Sequence, residues 1–282
     1  MTRMPVVAGS FYEGKPEALL KHLESCFVKS PGPERLPKGG SGKSRKIKAL
    51  VSPHAGYMYS GMAAAHSYLH LYEDGQPEHI VILGPNHTGR GLDLSRLAVC
   101  EDNWETPLGL VKYDRKIGPM ILEQNEYAMP DCIAHTGEHS IEVQLPFLQF
   151  AFGKELSFVP ICISDQSYEI CESIGKTVAN VAKDNDIVVI ASSDFTHFES
   201  AESARKKDNQ AIEYLENLDP EGFLRFVHGH RLSICGAGPI AAALVFAIER
   251  GATQFSLLKY MNSGDVTGDG GHVVAYVAAE IT

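Results

Sequence analysis

Three times along this chain of 282 residues an apolar run ends in Pro, Gly or Ser and hands over a side chain able to bind a metal or move a proton. ALVSPHAGYMYSG presents His54, HIVILGPNH presents His87, and IVVIASSDFTH presents Asp194 and His197. Imidazole is the commonest protein ligand for zinc, copper and iron, so His54 and His87, at equivalent places after two consecutive strands, read as a pair of metal ligands. Asp194 and His197 suit general acid-base work or further ligation; equally, Asp194 could cap the next helix with His197 on its first turn. Cys235, in the glycine-flanked turn of ICGAGPI at a helix start, also has two readings: a thiolate favoured by the helix amides, or a buried inert thiol. Glu138, His139 and Glu142 in GEHSIE precede a helix, but HSIE lacks the two His four apart of HExxH and is weak as a metal motif. Asp265 and Asp269 in GDVTGDGG lack the spacing of a calcium loop and read as a glycine-rich turn. Tyr57, Tyr59 and Phe195 could line a pocket beside these turns, although packing is the commoner use of such residues.

Positioning such side chains takes strands that run into functional loops. Short β-favouring runs bounded by turn residues are the pattern of buried parallel strands, and open α/β sheets carry their sites at the carboxyl ends of strands. Strands are expected at 47–52, 79–83, 156–163, 187–192, 255–261 and 273–279, with two short antiparallel edge strands around Trp104 in 97–113. Helices are expected near 19–27, 60–72, 117–124, 167–183 and 202–218. A further one runs toward Phe150 with Ser140 as cap and Pro146 early, one starts with Asp219 as N-cap and Pro220 behind it, and a hydrophobic one after Cys235 closes at Gly251. The expectation is an α/β fold with a mixed sheet, and nothing in residues 1–282 demands a domain boundary.

Composition narrows the function classes. A hydrophobic content of 44% with 25 basic against 35 acidic residues describes a globular chain, and the net charge of −10 argues against a nucleic-acid surface. The one basic cluster, Lys38 to Lys48, reads as a solvated Gly/Ser-rich loop, since its order does not fit a P-loop. GxGxxG after a strand is missing, which argues against a dinucleotide cofactor. Without a membrane-length apolar run or a signal-peptide core, a cytoplasmic protein without membrane partners is expected. The six cysteines have no CxxC and no framework spacing, and read as reduced thiols.

VAGSFYEG, PHAGYMYSG, ILGPNH, EHSIEVQLPFL, SSDFTH, ICGAGPI and SGDVTGD, in this order, closely resemble the Memo family, whose prokaryotic members are often labelled component B of the AmmeMemoRadiSam system. The resemblance spans essentially the whole chain. That family is similar in fold to the class III extradiol ring-cleaving dioxygenases, which implies one LigB-like three-layer α/β/α domain around a central mixed sheet. By that likeness His54, His87 and Cys235 match metal-ligand positions, and Asp194 and His197 match catalytic or other site residues beside the metal. The dioxygenase pattern has a carboxylate where this chain has Cys235; a His, His, thiolate set suits iron(II), copper or zinc. The resemblance thus implies a metal-dependent oxidoreductase with redox or dioxygenase-like chemistry on a small molecule. The alternatives are a non-catalytic module holding a peptide or small ligand, and an accessory protein with radical-SAM and AMMECR-type partners.

Overall fold

The computed structural model of the chain describes residues 1–37, 45–153 and 155–282. In chain order the elements are β1 (Thr2–Arg3), α1 (Pro16–Val28), β2 (Ala49–Ser52), α2 (Tyr57–Asp74), β3 (His79–Pro85), β4 (Leu97–Val99), β5 (Asn103–Thr106), β6 (Gly109–Tyr113), α3 (Ile117–Gln124), β7 (Ala128–Pro130), a 3₁₀ turn (Glu142–Gln144), α4 (Leu145–Phe152), β8 (Ser157–Ile163), α5 (Tyr168–Val181), β9 (Ile187–Ser192), β10 (Asp194–Glu199), α6 (Ala201–Glu216), α7 (Pro220–Gly229), α8 (Ala237–Glu249), β11 (Phe255–Asn262), α9 (Gly264–Thr267) and β12 (Val273–Ile281). Local chemistry accounts for many of the boundaries. The Asp219 carboxylate accepts the Gly222 N–H at 2.8 Å with Pro220 opening α7, and the Ser200 hydroxyl accepts the Ser203 N–H at 3.2 Å to start α6. Ser140 does not act as a cap: its hydroxyl donates to the Pro85 carbonyl, and Pro146 sits in the first turn of α4.

Among the described residues the sheet runs β1-β5-β6-β8-β3-β9-β2-β12-β10, with β11 on β12 and β4 on β8. β6, β8, β3, β9 and β2 are mutually parallel, whereas β12, β10, β11, β4 and the β5–β6 pair add antiparallel edges. The mixed sheet is therefore as expected, but β2 and β3 do not pair with each other, because β9 lies between them. The edge region around Trp104 holds three strands rather than two.

Strand alternation sends side chains to two layers of helices. Leu50, Ile80, Ile82, Phe158, Val188 and Ile190 face α1, α2 and α4, where Leu19, Leu23, Phe27, Tyr68 and Phe147 meet them. Ala49, Val51, Val81, Leu83, Val159 and Val189 face α5, α7 and α8. Both faces are buried, each fully buried branched side chain contributing about 1.5–3 kcal/mol, so the strands read as continuous apolar runs. The result is an α/β/α stack with the carboxyl ends of β2, β9 and β3 side by side at one edge.

One sequence alternative is decided and one expectation changes here. Tyr57 and Phe195 take the commoner role, packing in the core at 2% and 0% exposed. Cys100 and Cys132 form a disulfide rather than free thiols. Val99 of β4 stands opposite Pro130 of β7 in a parallel ladder, which brings the residues just beyond each strand together, a pairing invisible in the spacing. Of the basic cluster, residues 38–44 lie outside the described residues; Arg45 is docked, donating to the Ile47 carbonyl and the Asp186 carboxylate.

Candidate metal centre

His54 follows β2 and Pro53, and its ring is 2% exposed. Its Nδ1 lies 2.9 Å from Ser192 Oγ at the end of β9. That hydroxyl donates its own proton to the Ser140 carbonyl at 2.6 Å and accepts from Gln144 Nε2 at 2.8 Å, so toward His54 it can act only as an acceptor. His54 thus carries its proton on Nδ1, and the lone pair on Nε2 points to Cys235 Sγ, 3.2 Å away. Burial, followed by the neighbouring His139 and His87, holds His54 well below the usual imidazole range, so it is neutral.

His87 follows β3 and Asn86, with one side open to solvent. Glu138, fully buried, accepts the His87 N–H at 2.6 Å on one oxygen and faces Nδ1 at 3.0 Å with the other. Burial would raise the Glu138 carboxyl, but hydrogen bonds from the His87 ring and from the Ser140 and His87 amides outweigh it and hold the carboxyl well below its ordinary value. The carboxylate therefore accepts a hydrogen bond from a proton kept on Nδ1 and leaves Nε2 with its lone pair, the carboxylate–imidazole arrangement found behind metal-bound His. One donor atom from each of His54, His87 and Cys235 lies within 4.8 Å of the other two.

Cys235 precedes Gly236 and α8, yet burial and then the Asp194 carboxylate push its thiol upward, against the first of its two sequence readings, a helix-stabilised thiolate. The main-chain N–H of Asp194 donates to Sγ at 3.3 Å. Asp194 opens β10 and caps no helix; its carboxylate accepts the His54 N–H at 2.8 Å, and burial raises it to about 6. His197 lies on the same strand, its Nδ1 2.7 Å from the Ser233 carbonyl, which fixes the proton there and leaves Nε2 free.

Glycine makes these approaches fit. A β-carbon at Gly84 would meet Ser140 Oγ at 2.5 Å, and one at Gly236 would meet the Ser192 carbonyl at 2.4 Å, so the segments carrying Glu138 and Cys235 close on the strand ends only with no side chain there.

Three site residues carry more weight than their motif suggests. His139 stacks on His87 with centroids 4.8 Å apart and stands 5.4 Å from His54, while Phe11 covers another side at 4.8 Å. Its Nδ1 is 3.6 Å from the Glu138 carboxylate, too long for a hydrogen bond. Glu138 and Gln144 hold the rings of His87 and, through Ser192, His54. The signal available was the density of polar residues in EHSIEVQ ahead of an apolar helix, a place where an amphipathic face would have needed only two or three.

Replacing Glu138 with Gln leaves the volume but supplies a neutral, weaker acceptor for Nδ1. Metal affinity should fall about 10–100-fold with little loss of fold, the range for partners behind a ligating His; competition against a chelator measures it, and an unchanged affinity would detach Glu138 from the centre.

A family model described as Memo-like protein matches residues 3–280. A MEMO1 family protein of Methanopyrus kandleri is 44% identical over 281 residues, 99% of this chain and 98% of its own length. MEMO1 family proteins of Saccharolobus islandicus and Saccharolobus solfataricus are 44% and 42% identical over 283 residues, each alignment covering 99% of both chains. Among solved structures, the crystal structure of an uncharacterized protein from Escherichia coli K12 aligns with a TM-score of 0.55 over 84% of this chain and 100% of that one, at 12% identity. That likeness is one of fold.

Proposed function

The chain belongs to the Memo family, and from that premise we propose that it is a metal-dependent redox protein, with His54, His87 and Cys235 as ligands, acting on a small molecule. The observation that carries the reading is that the His54 Nε2 lone pair faces Cys235 Sγ and a ring nitrogen of His87 lies within 4.8 Å of both donors, while the Nδ1 atoms of the two rings are turned to Ser192 and Glu138. Ligand distances of about 2.0–2.3 Å put two donors of one ion roughly 3–4 Å apart, and the 3.2 Å between Sγ and His54 Nε2 fits. The donor set suits iron(II) or copper, with zinc accommodated too. When bound, such an ion would supply redox or Lewis-acid chemistry.

The chain's own groups then do the rest. His54 is buried and neutral and offers its lone pair without losing a proton first. The Asp194 amide supports negative charge on Cys235 sulfur. Asp194, its carboxyl raised by burial, keeps the His54 backbone in place and stands beside the sulfur as a group able to hold a proton. His197 and His139, each with a ring nitrogen not held by a protein hydrogen bond among the described residues, are the groups that hand protons to and from a small molecule at the open side of His87.

Protein purified without a His tag should retain, or take up from iron(II), copper or zinc, about one ion per chain by elemental analysis. No uptake from any of the three would overturn the reading in favour of a ligand- or peptide-binding module, or an accessory protein to a radical-SAM enzyme, neither of which needs an ion here. Among the described residues no helix is long and apolar enough to cross a membrane.

A further inference from the structure

The Cys100–Cys132 disulfide lies outside the donor set but at the root of the segment that carries Glu138. Asp131 N–H donates to the Val99 carbonyl at 2.9 Å, seating the end of β7 against β4. Beyond the disulfide the chain climbs in single turns: His135 N–H to Cys132 carbonyl at 3.3 Å, Thr136 N–H to Ile133 carbonyl at 3.0 Å, Glu138 N–H to His135 carbonyl at 3.3 Å. Ile133, Thr136 and Gly137 are exposed, whereas Ala134 and His135 are buried, with the His135 ring 3.0 Å from the Ala98 carbonyl and the Asp131 carboxylate accepting the Ile133 and Ala134 amides. A further tether is Arg3, which donates to the His135 and Glu138 carbonyls at 2.9 and 2.6 Å. At the top, Glu138 grips the ring and amide of His87.

We propose that Cys100–Cys132 is a redox site whose state sets the rigidity of residues 132–139 and, through Glu138, the hold on His87. The coupling to metal rests on the metal reading above; the redox site itself does not. Cys132 is the more accessible sulfur, Cys100 being 1% exposed. A dithiol reductant attacks Cys132 as thiolate to form a mixed disulfide, Cys100 leaves as thiolate and is protonated, and the second thiol of the reductant closes its own disulfide and frees Cys132. Two electrons and two protons pass from the dithiol to the protein. Closed, the bridge clamps the base of the turns; open, the exposed turns at Ile133, Thr136 and Gly137 lose that clamp and are held through Arg3, the buried His135 ring and the Asp131 carboxylate.

The test begins with alkylation under denaturing conditions: two of the six cysteines should resist until reduction, and six reactive ones would overturn the site. Hydrogen exchange of the 134–140 amides is then read in full-length, metal-free protein, oxidised and after anaerobic dithiol treatment. Reduction should speed it at least tenfold, and the Cys100→Ser, Cys132→Ser double variant should exchange fast in both conditions; equal rates in both wild-type states, or a double variant that still responds, overturn the proposal. Zinc affinity, by chelator competition, should be about 10–100-fold weaker in the double variant than in oxidised wild type. Reduced wild type is left out of that arm because donors of Cys100, Cys132 and Asp102 lie within 4.8 Å of one another and would hold zinc themselves. Since exchange is read without metal, an unresponsive segment overturns the redox site even if zinc binds, whereas zinc binding to no form overturns the metal reading and the coupling with it.

Discussion

Cys235→Ala should lose metal affinity by roughly a hundredfold or more while the protein stays folded. Apparent binding energies of about 10–16 kcal/mol for four-donor zinc sites put roughly 2.5–4 kcal/mol on each donor, and no other thiol stands beside His54 and His87 among the described residues. The side chain is small and lies at the mouth of α8 rather than in the apolar layers, so stability should change by no more than about 1 kcal/mol. A second reading of the same variant is pH. In wild type the thiol is pushed above its ordinary value and remains protonated near neutrality, so binding must expel that proton, and affinity should rise up to about tenfold per pH unit. Cys235→Ala removes this proton and should flatten the slope. The metal-free thiol is neutral and should react slowly with alkylating agents. Cys235→Glu supplies a carboxylate in its place and should shift preference from copper toward iron(II). Chelator competition across pH measures all of this; tight binding that survives in Cys235→Ala with an unchanged slope would remove the thiol from the ligand set.

The second large effect is on stability. Glu142 is fully buried and accepts from Arg3 Nη1 at 2.7 Å, from the Val6 and Val7 amides at 2.9–3.0 Å, and from the Tyr12 hydroxyl at 2.7 Å. Arg3 is also sandwiched over Trp104, 3.9 Å from its ring centre. Glu142→Ala strands a buried guanidinium and three further donors, and should cost about 3–5 kcal/mol in urea unfolding. Replacing both partners, Arg3→Met with Glu142→Leu, should cost less than Glu142→Ala alone, because no charge is left unpaired. The damage should also reach the centre. The Tyr57 amide donates to the Phe11 carbonyl at 2.7 Å and Phe11 covers His139, so a released N-terminal segment should make His139 more reactive to imidazole acylation. A loss under 1 kcal/mol with His139 still shielded would mean the segment is held by other contacts.

His54 and His87 were legible in the sequence because the cause is local. A β-favouring run stops at a proline or glycine, and whatever follows is delivered to the strand's carboxyl end; likewise Asp219 before Pro220 declares a helix start within four residues. The unbroken apolar runs of β2, β3 and β9 likewise required burial on both faces, and so helices on both sides. What lay beyond reach depends on which strands become neighbours. Strand order is chosen by the fit of whole apolar faces and by loop closure, and no spacing in the chain encodes it: β9 enters between β2 and β3 and sets Ser192 under His54. The same long-range packing brings Glu138 to His87 across 51 residues, Glu142 to Arg3 across 139, and Cys132 to Cys100 through a ladder between two short edge strands. The chemistry of each side chain was written in its type. Its partner, and hence the proton it keeps or gives up, came only from the tertiary structure, since a hydrogen bond is decided by distances of a few tenths of an ångström that only packing sets.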